Sequence, residues 1–153
     1  MRRDLVMAIT TAVLVATAAV PLHRVFTTTA WRPGVAATIL VATALAAGLR
    51  RLRVPGALAL VVSLVALVAF LARLFAVEAG PWPTPSALSE LWRIGLTGLE
   101  DVRLQPAPTA PLDSIRLLLT GGVWLVTHVT HESLVRLLSL IHISEPTRLR
   151  RIS

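Results

Sequence analysis

The chain has 153 residues, of which 55% are hydrophobic and only 15% are charged, and it carries a formal net charge of +7. A soluble domain of this length would have about a quarter of its residues charged, so the composition favours a membrane protein. The chain has no cysteine, which excludes disulfides, thiolate nucleophiles and cysteine metal ligands. Its arginines gather at the ends of apolar runs instead of forming one basic face, so nucleic acid is not a predicted partner.

Three apolar runs fill the first half of the chain, at about 5–22, 31–49 and 54–77. Their charged side chains are Arg32, at the edge of the second run, and Arg73, near the end of the third. A helix needs about 20 apolar residues to cross roughly 30 Å of hydrocarbon. Each run therefore predicts a transmembrane helix. The first run is too long for a signal peptide and lacks a convincing cleavage site, which favours a retained helix.

The positions of arginine around these runs predict their orientation. Arginines flank the first run at its start and fill the connector between the second and third, at Arg2, Arg3, Arg50, Arg51 and Arg53. The connector between the first and second runs has fewer, which predicts a cytoplasmic N-terminus and an extracytoplasmic segment 78–113. Acidic residues outnumber arginines in that segment. An interfacial aromatic belt at the same face is predicted from Trp31, Trp82 and Trp92.

The outer segment 78–113 is rich in proline but contains a helical pattern. Thr84 and Pro85 suit the N-cap and the first position of a helix. Apolar residues then recur at helical spacing, at Leu88, Leu91, Trp92, Leu96 and Leu99. This pattern predicts a short amphipathic helix. It could lie on the outer leaflet or pack on the bundle as a lid, and the sequence does not separate the two.

A fourth apolar stretch predicts a truncated or distorted helix at about 114–130. It contains Gly121 and Gly122, and it runs into His128, His131 and Glu132. Lipid does not tolerate such polar groups at mid-depth. We therefore expect them to approach an interface or to face other helices.

The same three polar residues are the best metal-site candidate in the sequence, because positions i, i+3 and i+4 share one helix face. Their order differs from the His-Glu-x-x-His of zinc proteases, and no fourth ligand is evident. We favour interfacial polar residues, and we predict no metal site, no cofactor and no catalytic residue. Arg73 is interpreted as a side chain that reaches the outer interface by snorkelling, rather than as a substrate or ion contact.

The last sixteen residues, 138–153, differ in composition from the rest of the chain. Ser139–Arg148 resembles a translated sequencing-adapter string found at broken ends of metagenomic reading frames. We therefore expect 138–153 to be a non-native tail that does not belong to the native fold. The alternative is a basic cytoplasmic tail with a turn at Pro146.

Three segments together carry a family resemblance, at Leu49–Pro55, Trp82–Leu91 and Glu100–Pro108. Their order among the apolar runs resembles the N-terminal membrane domain of bacterial transglutaminase-like membrane proteins of the TgpA type, best known from actinobacteria. The likeness covers roughly residues 5–127. Its most specific part is the outer helix that begins at Pro-Thr-Pro, followed by the Ala-Pro sequence at which the chain returns toward the membrane.

Members of that family have several N-terminal membrane helices followed by an extracytoplasmic transglutaminase-like domain with a papain-type Cys, His and Asp triad. The resemblance implies that 1–137 is a non-catalytic fragment that anchors such a domain in the bacterial cytoplasmic membrane. Its implied partners are the lipid bilayer and the missing C-terminal part of the same protein. The triad cannot be placed on this chain, which has no cysteine.

The predicted fold class is an all-α, polytopic transmembrane helical bundle with a short outer interfacial helix. The alternative function is a small membrane subunit of a transporter or channel, with Arg73 or His128 on the permeation path. The three predicted membrane helices show almost none of the polar or broken segments that transporter helices usually carry, which favours the membrane-anchor function. A stand-alone enzyme that uses His128, His131 and Glu132 is a remote third possibility.

Overall fold

The computed structural model describes residues 2–76 and 84–144, with side chains described for residues 5–76 and 84–135. In these two ranges five α-helices follow one another: α1 (Arg2–Ala19), α2 (Arg32–Arg51), α3 (Gly56–Phe75), α4 (Pro85–Leu104) and α5 (Asp113–Ser144). No β-strand forms within these two ranges. The predicted all-α fold class is therefore confirmed.

Three helices in the described part of the chain have the length and composition needed to cross a membrane. They are α1 with its 3₁₀ continuation, at Leu5–Arg24, then α2 at Arg32–Arg51 and α3 at Gly56–Phe75. Each has 20 residues, which corresponds to about 30 Å of helix. The predicted spans 5–22, 31–49 and 54–77 agree with these helices to within a few residues.

Helix α5 is the central element of the bundle, because it packs against α1, α2, α3 and α4. It contains 32 residues, more than the predicted span 114–130, and it continues into the region expected to be a non-native tail. Two buried apolar clusters surround it. One is built around Trp124 and Leu117 of α5, and the other around Ile115 of α5 with Phe26 and Trp31.

Two connectors meet at one end of the bundle. The backbone N–H of Thr27 donates to the carbonyl of Thr109 at 3.0 Å, and the N–H of Thr109 donates to the carbonyl of Val25 at 2.9 Å. These bonds join the α1–α2 connector to the α4–α5 connector. Helix α2 carries the chain about 30 Å away from this end, so the arginine-bearing α2–α3 connector lies at the other end. We call these the bridged end and the arginine end.

Helix α4 begins as the sequence predicts. The Thr84 hydroxyl accepts a hydrogen bond from the Ala87 N–H at 3.2 Å, and Pro85 occupies the first turn. The helix is not short, since it has 20 residues. It packs on the bundle through Ala87, Leu91 and Gly98, which are buried. The packing of α4 on the bundle is what the lid alternative requires.

Candidate functional site

The outward faces of the membrane-length helices are apolar. Only 22% of the α1 and α3 spans and 39% of the α2 span is buried inside the bundle. Large aliphatic side chains cover the remaining faces, among them Val6, Ile9, Leu40, Leu58 and Val65. A soluble protein rarely exposes a contiguous apolar patch larger than a few hundred Å². Lipid contact is the physical role that suits this surface.

The apolar stripe of α4 divides between two surroundings. Leu91 is buried in the cluster around Trp124, while Leu88, Trp92, Leu96 and Leu99 are exposed. Trp92 is 71% exposed, as an interfacial belt requires. Trp31 lies at the bridged end but is buried beside Phe26, with their ring centroids 5.8 Å apart. Trp82 lies outside the described residues.

The two histidines of α5 are buried, which corresponds to the second of the two placements expected from the sequence, an interface or contact with other helices. His131 is 1% exposed, and its Nδ1 lies 3.3 Å from the hydroxyl of Thr11 on α1. That hydroxyl donates its hydrogen to the Met7 carbonyl at 2.9 Å. His131 Nδ1–H must therefore be the donor to Thr11, because a hydroxyl has one hydrogen. The contact ties α1 to α5 inside the bundle.

His128 and Glu132 point away from that contact and line a cavity at the arginine end. The cavity, of about 230 Å³, lies between the α2–α3 connector and α5, and it is also lined by Arg50, Arg53 and Gly56. We call it the arginine pocket. His128 is 7% exposed. The helical triplet predicted from sequence is thus divided, since His131 faces α1 while His128 and Glu132 face the arginines.

A Schellman motif holds Arg53 in this pocket. The N–H of Arg53 donates to the Arg50 carbonyl at 2.9 Å, and the N–H of Val54 donates to the Leu49 carbonyl at 3.1 Å. These two bonds define the motif at a helix C-terminus, where the residue at C′ is usually glycine. Here the C′ residue is Arg53, with φ of 55°. It adopts the left-handed region, which is unfavourable for most residues other than glycine and asparagine.

A buried polar contact in the bundle core was not predicted from the sequence. The indole N–H of Trp124 donates to the Ser63 hydroxyl on α3 at 3.1 Å, and its ring lies 5.4 Å from that of Phe70. The position of Trp124 in the middle of a helix, away from either interface, could have indicated such a contact, because a buried indole N–H needs a partner. The partner itself depends on how α3 and α5 pack.

A second groove opens at the bridged end, between α1 and α2. It has a volume of about 260 Å³ and is lined mainly by apolar side chains, with His23 and Arg32 at its rim. The Arg32 guanidinium lies 5.9 Å from the centre of the Trp31 ring, a cation–π distance.

The exposed side of α4 carries one bidentate ion pair. The Arg93 guanidinium donates to both carboxylate oxygens of Glu90, at 3.0 Å from Nε and 2.6 Å from Nη2. These hydrogen bonds hold the pKa of the Glu90 carboxyl below its ordinary value and raise the pKa of the Arg93 guanidinium above its ordinary value. Both groups stay charged near neutral pH, so this side of α4 is strongly polar. Exposed pairs of this kind contribute little to stability.

Arg73 lies in the last turn of α3 and is exposed. This position suits the predicted snorkelling side chain, since it is directed away from the bundle interior. Among the residues with described side chains, no group of three or more His, Asp or Glu is placed to hold a metal ion. The region 145–153 of the expected non-native tail lies outside the described residues.

No protein-family model matches the chain, and neither a curated protein nor a solved structure does so.

Proposed function

We propose that this chain is the non-catalytic membrane-anchor domain of a larger bacterial cell-envelope protein of the transglutaminase-like class. The observation that carries the proposal is the set of three membrane-length helices whose outward faces are apolar. Surfaces of this kind need lipid around them. Helix α4, capped by Thr84 and packed on α5 and α3, supports the resemblance in the segment where that resemblance is most specific.

The interior of the bundle favours an anchor over a transporter or channel subunit. Among the residues with described side chains, the buried polar groups are threonines, serines and two histidines, and no Arg, Asp or Glu is buried. Permeation paths for ions and polar solutes usually carry ionisable groups inside the membrane, and in the described part of this bundle His128 and His131 are buried without an accompanying buried Arg, Asp or Glu. Arg73, the arginine considered for such a path, is exposed.

The membrane topology can be tested with single cysteines, because the chain has no native one. Ser89 on α4 and Arg51 at the end of α2 are both exposed. In intact cells, a membrane-impermeant maleimide is expected to label Ser89→Cys, and to label Arg51→Cys only after permeabilisation. The reverse pattern would show that the proposed orientation is inverted.

Membrane integration is measured on the same cells by extraction with alkaline carbonate. The chain is expected to stay in the pellet and to need detergent for release. Release of a monodisperse chain into buffer without detergent would contradict the anchor proposal.

The transglutaminase-like part of the proposal is tested by the gene. We expect an uninterrupted genomic copy to continue beyond codon 137 into further helix and then a domain with Cys, His and Asp at papain-type spacing. A stop codon at that point, or a downstream domain without these residues, would overturn this assignment and favour a small membrane subunit.

A further inference from the structure

We infer that the arginine pocket binds the phosphodiester headgroup of an anionic phospholipid. This inference goes beyond the anchor function, and it depends only on the placement of the bundle in a membrane. The pocket lies where the α2–α3 connector meets α5, at the end of two membrane-length helices. The ends of such helices lie at the depth of lipid headgroups. Basic pockets between membrane helices are known to receive anionic headgroups.

The lining of the pocket suits a phosphodiester. Arg50 and Arg53 line it with two guanidinium groups, and Glu132 lines it with one carboxylate. A phosphodiester carries one negative charge. Guanidinium groups present several N–H donors in a planar fork that suits phosphate oxygens. His128 adds an imidazole at the base of the pocket, which carries an N–H in either tautomer.

The backbone of Arg53 is the second observation that points to a ligand. The Schellman position would be satisfied best by glycine, yet an arginine occupies it in the left-handed region. Strain of this kind indicates a functional constraint when the side chain lies in a site. The Arg53 side chain lines the pocket, so its charge there is a reason for the arginine that helix termination does not supply.

A neighbouring cavity explains why the ligand is a lipid rather than free phosphate. It has a volume of about 300 Å³ and shares Gly56, His128 and Glu132 with the arginine pocket. It continues between α3 and α5 along Leu60 and Val129, both of which are exposed to the surroundings of the bundle. A headgroup in the arginine pocket would therefore have an apolar groove beside it for the start of its acyl chain.

The glycine shared by both cavities offers a way to fill them. A Cβ atom built at Gly56 would meet nothing within 4 Å, and the same is true at Gly48, which lines neither cavity. Gly56→Leu therefore places a side chain in the proposed site, whereas Gly48→Leu adds the same atoms elsewhere. A second pair of variants each removes one arginine charge, inside or outside the pocket. Arg53→Gly removes a pocket arginine, and Arg51→Gln removes the neighbouring arginine, which does not line the pocket.

The test uses the full chain, purified and delipidated in a neutral detergent, with phosphatidylglycerol as the probe and phosphatidylcholine as the zwitterionic reference. Retention of lipid is measured by native mass spectrometry over a lipid titration. The wild-type chain, Arg51→Gln and Gly48→Leu are expected to retain phosphatidylglycerol alike and in preference to phosphatidylcholine. Arg53→Gly is expected to weaken retention at least about fivefold, the loss of one arginine contact, and Gly56→Leu to weaken it as much.

Several results would overturn the inference. Equal losses for Arg51→Gln and Arg53→Gly would show diffuse attraction by the connector rather than a site. Unchanged retention in Arg53→Gly, or equal retention of the two lipids, would show that the pocket does not read the headgroup. Competition by millimolar inorganic phosphate, with no dependence on the acyl chain, would assign the pocket to free phosphate. Arg53→Gly relieves a strained backbone, so it keeps the fold, and its failure would leave the cysteine-labelling result unaffected.

Discussion

Replacing Trp124 with alanine is expected to lower the free energy of unfolding by about 3 kcal/mol, the lower end of the range for removing a buried aromatic side chain. Trp124 is 1% exposed and belongs to the cluster that joins α2, α3, α4 and α5. Hydrophobic transfer adds little here, because detergent surrounds the chain in both states. The loss comes from dispersion contacts and the residual cavity. It is measured by SDS titration of the chain in mixed micelles, followed by circular dichroism.

Trp92 provides the matched control, because it is a tryptophan on the exposed side of α4. It is 71% exposed on α4, so Trp92→Ala is expected to change the unfolding free energy by no more than about 0.5 kcal/mol. Equal losses for the two variants would contradict the placement of Trp124 at the centre of the core.

The hydrogen bond from Trp124 to Ser63 can be measured apart from the packing. Trp124→Phe keeps an aromatic ring but removes the N–H donor, and Ser63→Ala removes the acceptor. A double-mutant cycle of the two is expected to give a coupling energy of about 0.6 kcal/mol, with an upper limit of about 1.7 kcal/mol for such bonds in membrane proteins. A coupling of zero would mean that the two groups do not interact in the folded chain.

The features that could be predicted from sequence are those fixed within one helix. The three spans follow from the lengths of apolar runs, and the start of α4 follows from a threonine cap and a proline in the first turn. The sequence also limited His128 and His131 to an interface or to contact with other helices, because lipid would leave them without partners. The reason in each case is local chemistry that does not depend on which helices become neighbours.

The features that could not be predicted depend on packing between distant segments. Leu91 and Leu88 have the same side chain on one apolar stripe, yet only Leu91 is buried, because α5 covers one edge of α4. The division of His131 from His128 depends on α1 lying against one side of α5. The left-handed backbone of Arg53 was not predicted for another reason, since the position after the C-cap of α2 holds arginine and not the glycine that would signal it.

The contact between α4 and α5 gives the second large effect, at Gly98. A Cβ atom at this position would lie 2.5 Å from the carbonyl oxygen of Ser114 and 2.9 Å from its carbonyl carbon. Backbone atoms cannot rotate away, so Gly98→Ala has to separate the two helices. It would also strain the hydrogen bond that the Ser114 hydroxyl donates to Asp101. Overpacking of this kind destabilises by about 1–3 kcal/mol, more than alanine gains from its better helix propensity.

Gly95, one turn earlier on α4, is the matched control for this effect. A Cβ atom there would lie 4.0 Å from Leu117 Cδ2, an ordinary van der Waals contact. Gly95→Ala is therefore expected to stabilise the chain by up to about 1 kcal/mol, since alanine loses less backbone entropy than glycine on entering a helix. The two substitutions are chemically identical and lie on one helix, so intrinsic propensity predicts the same sign for both. SDS titration that gave opposite signs would locate the close approach of α4 and α5 at Gly98, whereas stabilisation by both would mean that α4 does not pack there.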